Sequence, residues 1–178
     1  MNNWYVFTGG PNSGKTTMIK ALLDHGYHVQ KEMARIVIDE GLAQGQTIEE
    51  IRKDSRQFQI DIYNRECARL TTLDPKKMVC FDRGLQDHMA YFLLHGHKMP
   101  ENMEQQLHRQ KYKTVFLLGE PTYERDYART ETPEQAAKLF YLLQEAYEAT
   151  GHAVVRPPVF PDVQERIDWV LNFMANEK

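Results

Sequence analysis

The sequence has no apolar run approaching the length of a bilayer-crossing helix, which excludes a helical integral-membrane protein. It is short of cysteine: Cys67 and Cys80 are the only two in 178 residues. One lies in a helix-like segment and the other in an apolar strand-like one. That excludes a disulfide-built scaffold and predicts reduced thiols in a cytoplasmic chain. An excess of positive charge is also missing. Twenty-two Lys+Arg against 25 Asp+Glu leave a formal net charge of -3, so no bulk cationic field is present to hold a nucleic acid. No basic stretch leads into an apolar core at the start, so no leader peptide is expected. No internal repeat, low-complexity tract or Pro/Gly/Ser linker divides the chain. The expectation is one domain over residues 1–178, a monomer or homodimer, with a core large enough to need no staples.

What is present begins at Gly9. Gly9-Gly10-Pro11-Asn12-Ser13-Gly14-Lys15-Thr16-Thr17 fits the phosphate-binding pattern Gly-x-x-x-x-Gly-Lys-[Ser/Thr]. The context is the one the motif requires. Trp4 to Thr8 reads as a buried strand, and Met18, Ile19, Leu22 and Leu23 recur at helical spacing after the loop. The glycines permit positive φ and close backbone approach. The amides from Asn12 to Thr16 then form a concave nest for an anion, and the new helix adds its free N–H groups. Lys15 is expected to reach the β- and γ-phosphates of ATP, and the Thr16 hydroxyl to ligate Mg²⁺.

The remaining chain alternates strand and helix. Gly26 closes the first helix, Tyr27 to Lys31 is a short strand, and Met33 to Leu42 is helical, with Gly41 and Gly45 as its break. Thr47 and Glu50 form a capping box that predicts one long helix to about Leu70, with Ile51, Phe58, Ile62 and Leu70 inward. Met78 to Phe81 is a third strand. Leu85 to His95 is a helix with Met89, Phe92 and Leu93 inward, and Pro100 to Gln110 is a short helix. Lys113 to Leu118 is a fourth strand. Pro133 to Thr150 is a helix carrying Ala136, Leu139, Phe140, Leu143 and Tyr147 at core spacing. Ala153 to Arg156 is a fifth strand, and Val163 to Ala175 a last helix. The predicted fold is α/β, a three-layer sandwich around a five-stranded parallel sheet.

Ligands of such sheets bind beyond the carboxyl ends of the strands. The polar residues there are Glu32 and Arg35, Asp82 and Arg83, Glu120 with Arg125 and Arg129, and Arg156. Asp82 is expected to orient Mg²⁺. Glu32 is expected to act as general base or to hold an acceptor hydroxyl, with Asp82 as the competing base. Arg83 reads either as a phosphate or acceptor contact or as the structural partner of Glu32. Arg125 and Arg129, four residues apart, are expected on one face of a short helical lid, about residues 120–132, clamping phosphates; pairing with Glu124, Asp126 and Glu131 is the alternative. Gln57, Asp61 and Tyr63, and Asp87, His88 and Tyr91, are offered to an acceptor pocket. His88 reads as a surface or half-buried residue. The seven histidines form no compact metal set. The loop Arg156 to Pro161 should lie near the nucleotide base. It carries no guanine-selecting element, which leaves ATP as the donor.

These motifs together resemble P-loop kinases of the nucleoside and nucleotide kinase group. More closely, they resemble the small bacterial AAA-domain ATPase/kinase-like family, which is similar to the ribosylnicotinamide kinase domain. The resemblance rests on residues 9–17, on Glu-Met-Ala-Arg at 32–35, on Phe-Asp-Arg-Gly at 81–84, on Asp87 and Tyr91, on Val-Phe-Leu-Leu at 115–118, and on Arg125 and Arg129. It implies Glu32 as base, Arg83 as its assistant and Arg125 and Arg129 as phosphate clamps. It implies transfer of the γ-phosphate of ATP to a hydroxyl of a small, nucleoside-like acceptor. A nucleotide-binding ATPase/GTPase switch and a non-catalytic nucleotide-binding module are the competing classes. The chain is shorter than a typical AAA+ motor with its separate helical lid domain.

Overall fold

The computed structural model describes residues 2–119 and 132–177. In chain order the elements are β1 (Trp4–Thr8), α1 (Lys15–Asp24), β2 (Val29–Gln30), α2 (Met33–Ala43), α3 (Ile48–Ile51), α4 (Ser55–Thr71), β3 (Val79–Asp82), α5 (Asp87–Leu94), α6 (Glu101–Arg109), β4 (Thr114–Leu117), α7 (Pro133–Ala149), β5 (Val154–Val155) and α8 (Val163–Asn176).

All five residues of β1 are buried, and successive side chains face opposite layers. Trp4 and Val6 pack with Phe81, Tyr112, Val115 and Tyr147; Tyr5 and Phe7 pack with Cys80, Phe116, Met18 and Val170. A strand covered on both faces needs an unbroken apolar run, which is how β1 reads. Helices α1 and α8 supply the second layer, and α4, α5, α6 and α7 supply the first. The strands run parallel in the order β2-β3-β1-β4-β5. The chain leaves β1 toward one edge and later returns to its other side. The end of β1 is therefore a switch point, where a crevice opens above the sheet. The α/β sandwich and its five-stranded parallel sheet are as expected.

Local departures have physical causes. The long helix expected after Thr47 is two helices. The capping box at Thr47 and Glu50 starts the four-residue α3, and Asp54 caps α4 by accepting from the Gln57 amide at 2.9 Å. The break lets Ile51 pack on Ile38, Phe58 and Ile62. Gly41 does not end α2 but lies within it, where a Cβ would fall 2.5 Å from Ile51 Cδ1. Leu93, expected inside, is 45% exposed, and Leu23 of the α1 repeat is 46% exposed. In α5 the buried residues are Asp87, His88, Ala90, Phe92 and Leu94, because that helix is covered on several sides and Leu93 takes the open one.

Candidate active site

The loop after β1 closes on its own lysine. Lys15 is 5% exposed, and its Nζ donates to Gly9 O at 3.0 Å, Gly10 O at 3.3 Å and Ser13 Oγ at 3.4 Å. Two glycines are forced. At Gly9, φ is +151° and a Cβ would strike the Leu118 carbonyl; at Gly14, φ is +79° and a Cβ would strike the Arg166 guanidinium. Arg166, from α8, donates to Ser13 O at 3.1 Å and so braces the loop from behind. Pro11 is buried, and Asn12 takes a left-handed turn at φ 56°. The first ladder bond of α1 runs from Met18 N to Gly14 O, so the amides of Lys15, Thr16 and Thr17 lie in the first turn of the helix, where N–H groups point along the axis toward the loop. The Thr16 and Thr17 side chains are exposed there.

A carboxylate–guanidinium cluster stands beside this loop. Glu32 is the cap residue of α2, yet its side chain makes no cap bond; Arg83 Nε donates to its Oε1 at 2.8 Å. Arg83 adopts φ +71°, a costly backbone for a non-glycine residue. From there its NH1 also reaches Asp87 Oδ2 at 3.0 Å and Gly9 O at 3.3 Å, and its guanidinium carbon lies 5.5 Å from the centre of the Tyr91 ring. Asp87 is saturated. It further accepts from Thr8 Oγ1 at 2.8 Å, Gly84 N at 3.3 Å and Tyr147 OH at 2.6 Å. The ion pair foreseen as one reading of Arg83 is therefore present, and it is linked directly to the phosphate loop.

The charges in this cluster are uneven. Burial pushes the Glu32 carboxyl up, but Arg83, Lys15 and Arg35 together outweigh it and hold it below the ordinary value. Asp82 is pushed up to about 6 by burial and then by Glu32, against Lys15 and Arg83. Its Oδ1 is buried with no hydrogen-bond partner. That orphaned oxygen and the exposed Thr16 hydroxyl are hard oxygen donors of the kind Mg²⁺ takes, usually one or two from protein with phosphates and waters completing the shell. Among the described residues no group of three His, Cys, Asp or Glu side chains is arranged to hold a metal alone.

Two cavities flank the loop. One, of about 50 Å³, joins the strand ends to α4 and α5 and is lined by Glu32, Asp82, Arg83, Phe58, Gln59 and Glu66, among others. The other, of about 360 Å³, lies beyond β4 and β5 and is lined by Gly119, Phe140, Arg156, Pro158, Phe160 and Arg166, among others.

The structure thus brings the phosphate loop, Glu32, Asp82 and Arg83 together. Arg125, Arg129, Glu120 and the lid apart from Thr132 lie outside the described residues. Arg156 turns to Gln144 and sits 4.9 Å from the Phe140 ring centre. Gln57 and Asp61 pair with each other on the surface and do not line the cavity, whereas Tyr63 is buried behind it. His88 is no surface residue: it is 7% exposed, and burial lowers its pKa to about 4, so the ring is neutral at pH 7. The residues not foreseen are Gln59, Glu66 and Arg166. The first two lie seven residues apart with Ile62 between them on one helical face, a usable signal; Arg166, 153 positions from Ser13, gave none.

Among solved structures the chain is similar to deoxyadenosine kinase from M. mycoides with bound dATP. The identity is 15% and the TM-score 0.69, over 97% of this chain and 99% of that one. It is also similar to NadR protein in complex with NAD and AMP-PNP, at 16% identity and a TM-score of 0.62 over 97% of this chain and 49% of NadR. A NadR structure in complex with NR gives 16% and 0.63, over 97% and 51%. The chain spans about half the length of NadR. No curated protein matches. Among the described residues no helix is long and apolar enough to cross a membrane. The family model described as "AAA domain" matches residues 4–166, and the chain, with its kinase-like P-loop fold, belongs to that family.

Proposed function

We propose that residues 1–178 form one P-loop kinase-like domain that transfers the γ-phosphate of ATP, with Mg²⁺, to a hydroxyl of a small, nucleoside-like acceptor. The observation that carries this reading is the position of Glu32. It lines a cavity beside the phosphate loop, is held by Arg83, and is kept ionised by the surrounding cations. A simple NTPase has no need of an acceptor cavity at that point. The proteins of similar fold, a deoxyadenosine kinase with bound dATP and NadR protein in complex with NAD and AMP-PNP, support the reading.

In this mechanism the loop amides and Lys15 bind the β- and γ-phosphates. Thr16 and Asp82 would hold Mg²⁺, which when bound would supply positive charge beside the phosphates. Arg83, with Arg125 and Arg129, bears on the equatorial oxygens. Glu32 accepts the hydrogen bond of the attacking hydroxyl and takes up its proton as the new oxygen–phosphorus bond forms and the bond from the γ-phosphorus to the departing ADP oxygen breaks. A carboxylate held below its ordinary pKa is a weak base but a good orienting group. That suffices for a loose phosphoryl transfer, where alignment and charge stabilisation dominate. The cavity of about 360 Å³ beyond β4 and β5 is the donor-base side. The acceptor cavity, about 50 Å³, holds a few waters only, so acceptor binding must swing a lining side chain such as Met33 or Arg52 outward.

The test is to incubate the protein with ATP, Mg²⁺ and a panel of nucleosides and to resolve the products. A phosphorylated nucleoside is the expected outcome. Release of phosphate to water alone, at the same rate with and without nucleoside, overturns the proposal.

A further inference from the structure

The acceptor cavity contains a second polar set that the transfer chemistry does not use. Phe58, Gln59, Ile62 and Glu66 follow one face of α4 and all line it. Glu66 is 3% exposed. Its Oε2 is paired with Arg69, but its Oε1 is buried with no hydrogen-bond partner. Burial, with a smaller push from Asp87, raises the Glu66 pKa, and the Arg69 guanidinium paired with Oε2 opposes this and favours the carboxylate; Asp87 itself, also buried, has every oxygen engaged. The contrast matters, since an unpaired buried carboxyl oxygen is costly and a purely structural position would favour an apolar side chain.

Glu66 does have a structural use. Its Oε2 orients Arg69, whose NH1 reaches the Lys31 carbonyl at 2.7 Å and ties α4 to the end of β2. That use occupies one oxygen and leaves the other unexplained. Beside it, Gln59 is 6% exposed, with its Oε1 facing His88 Nδ1 at 3.4 Å. The neutral His88 ring is itself held edge-on to Tyr63, with centroids 5.6 Å apart. Gln59 therefore has its carbonyl turned to His88, and its amide NH₂ is the group left to donate. The cavity then offers an acceptor oxygen and an amide donor along apolar walls of Phe58 and Ile62. The ligand edge that fits is planar and pairs an N–H donor with a neighbouring ring acceptor.

We propose that Glu66 Oε1 accepts an N–H from the ring of the acceptor substrate, so that the site selects heterocycles carrying an exocyclic amino group over those carrying a carbonyl at that position. This rests on the kinase reading above. A carbonyl there sets oxygen against the carboxylate and leaves both unpaired, a mismatch that discriminates more strongly than a change of size.

The experiment uses the full chain with ATP and Mg²⁺ and two matched pairs, adenosine with inosine and cytidine with uridine, each also as the 2′-deoxynucleoside. Transfer rates and nucleoside-induced thermal shifts are measured for the unaltered protein and for Glu66→Gln. The amino member of each pair is expected to have a kcat/KM about 10-fold or more above its partner. Glu66→Gln, which keeps the shape and a polar contact for Arg69, should raise KM for the amino members and narrow the ratio to within about 3-fold while kcat changes little. Transfer to nucleosides with no amino preference, or an equal loss on both members in Glu66→Gln, overturns this inference and leaves the kinase reading standing. Phosphate release to water alone, with no thermal shift from any of the nucleosides, overturns both.

Discussion

Tyr147 donates its hydroxyl to Asp87 Oδ1 at 2.6 Å, and through that carboxylate it is one bond away from Arg83. A residue near the end of α7 thereby helps to set the guanidinium that holds Glu32. Both Tyr147 and Asp87 are buried, and burial keeps the phenol well above its ordinary pKa, so the proton stays on the ring oxygen. Tyr147→Phe removes one donor without changing the packed ring. A loss of about 1–2 kcal/mol in urea unfolding is expected, with a several-fold fall in kcat. Unchanged kcat in a measurably destabilised variant would confine the bond to structure.

Lys15→Ala removes the cation that the loop carbonyls enclose. Triphosphate turnover should fall by about 10²-fold or more, on the scale of lost charge stabilisation in a transferring site. The circular dichroism spectrum should stay native. A variant that turns over ATP at the original rate would contradict the assignment of the loop.

Glu32→Gln keeps the size of the side chain and the oxygen facing Arg83 but removes the charge. Transfer should drop by about 10²–10⁴-fold while ATP affinity, read by titration, moves little. Equal transfer would remove Glu32 from the reaction and leave Asp82 as the candidate.

His88 makes stability pH-dependent in a stated direction. In the folded protein its pKa is lowered to about 4 by burial, against about 6.5 in an unfolded chain. Between these values the unfolded state binds more protons, so the group's contribution is fully present above about pH 6.5 and is lost as pH falls through about 4. Urea unfolding should show roughly 2–3 kcal/mol less stability at pH 4 than at pH 7 from this ring. In His88→Asn that part of the slope should vanish, whatever the variant's stability at pH 7; an identical slope would refute the assignment.

Arg166 braces the loop through Ser13 and fills the space above Gly14. Arg166→Ala should raise the KM for ATP several-fold with kcat nearly kept, because the amide nest loses its support and not its charge. Arg166→Lys, which cannot reproduce the planar fork, should recover only part of the loss. An unaltered KM in the alanine variant would make the contact incidental.

Much of this was legible in the sequence because it was local. Gly9 to Thr17 carries its own spacing, β1 is an unbroken apolar run, and α7 shows its core residues at helical period. That Glu32, Asp82 and Arg83 come together was legible because they stand at the carboxyl ends of neighbouring strands. What stayed hidden depends on long-range packing. Asp87 was visible as a nearby carboxylate, but its saturation by Thr8 and Tyr147 joins residues 79 and 60 positions apart. The split of α3 from α4 turned on Asp54 as a cap within a continuous helical pattern. Leu93 misled because periodicity names a face without saying how many neighbours cover the helix.

The alternation along β1 has a consequence for how this protein tolerates change. Trp4 and Val6 serve one layer, Tyr5 and Phe7 the other, and Gly9 follows two residues later. Removing a single residue anywhere between Trp4 and Phe7 would exchange the two interiors and also pull the lysine-bearing loop back by one strand step, roughly 3.3 Å. Length in this strand is therefore under tighter constraint than the identity of any one of its side chains.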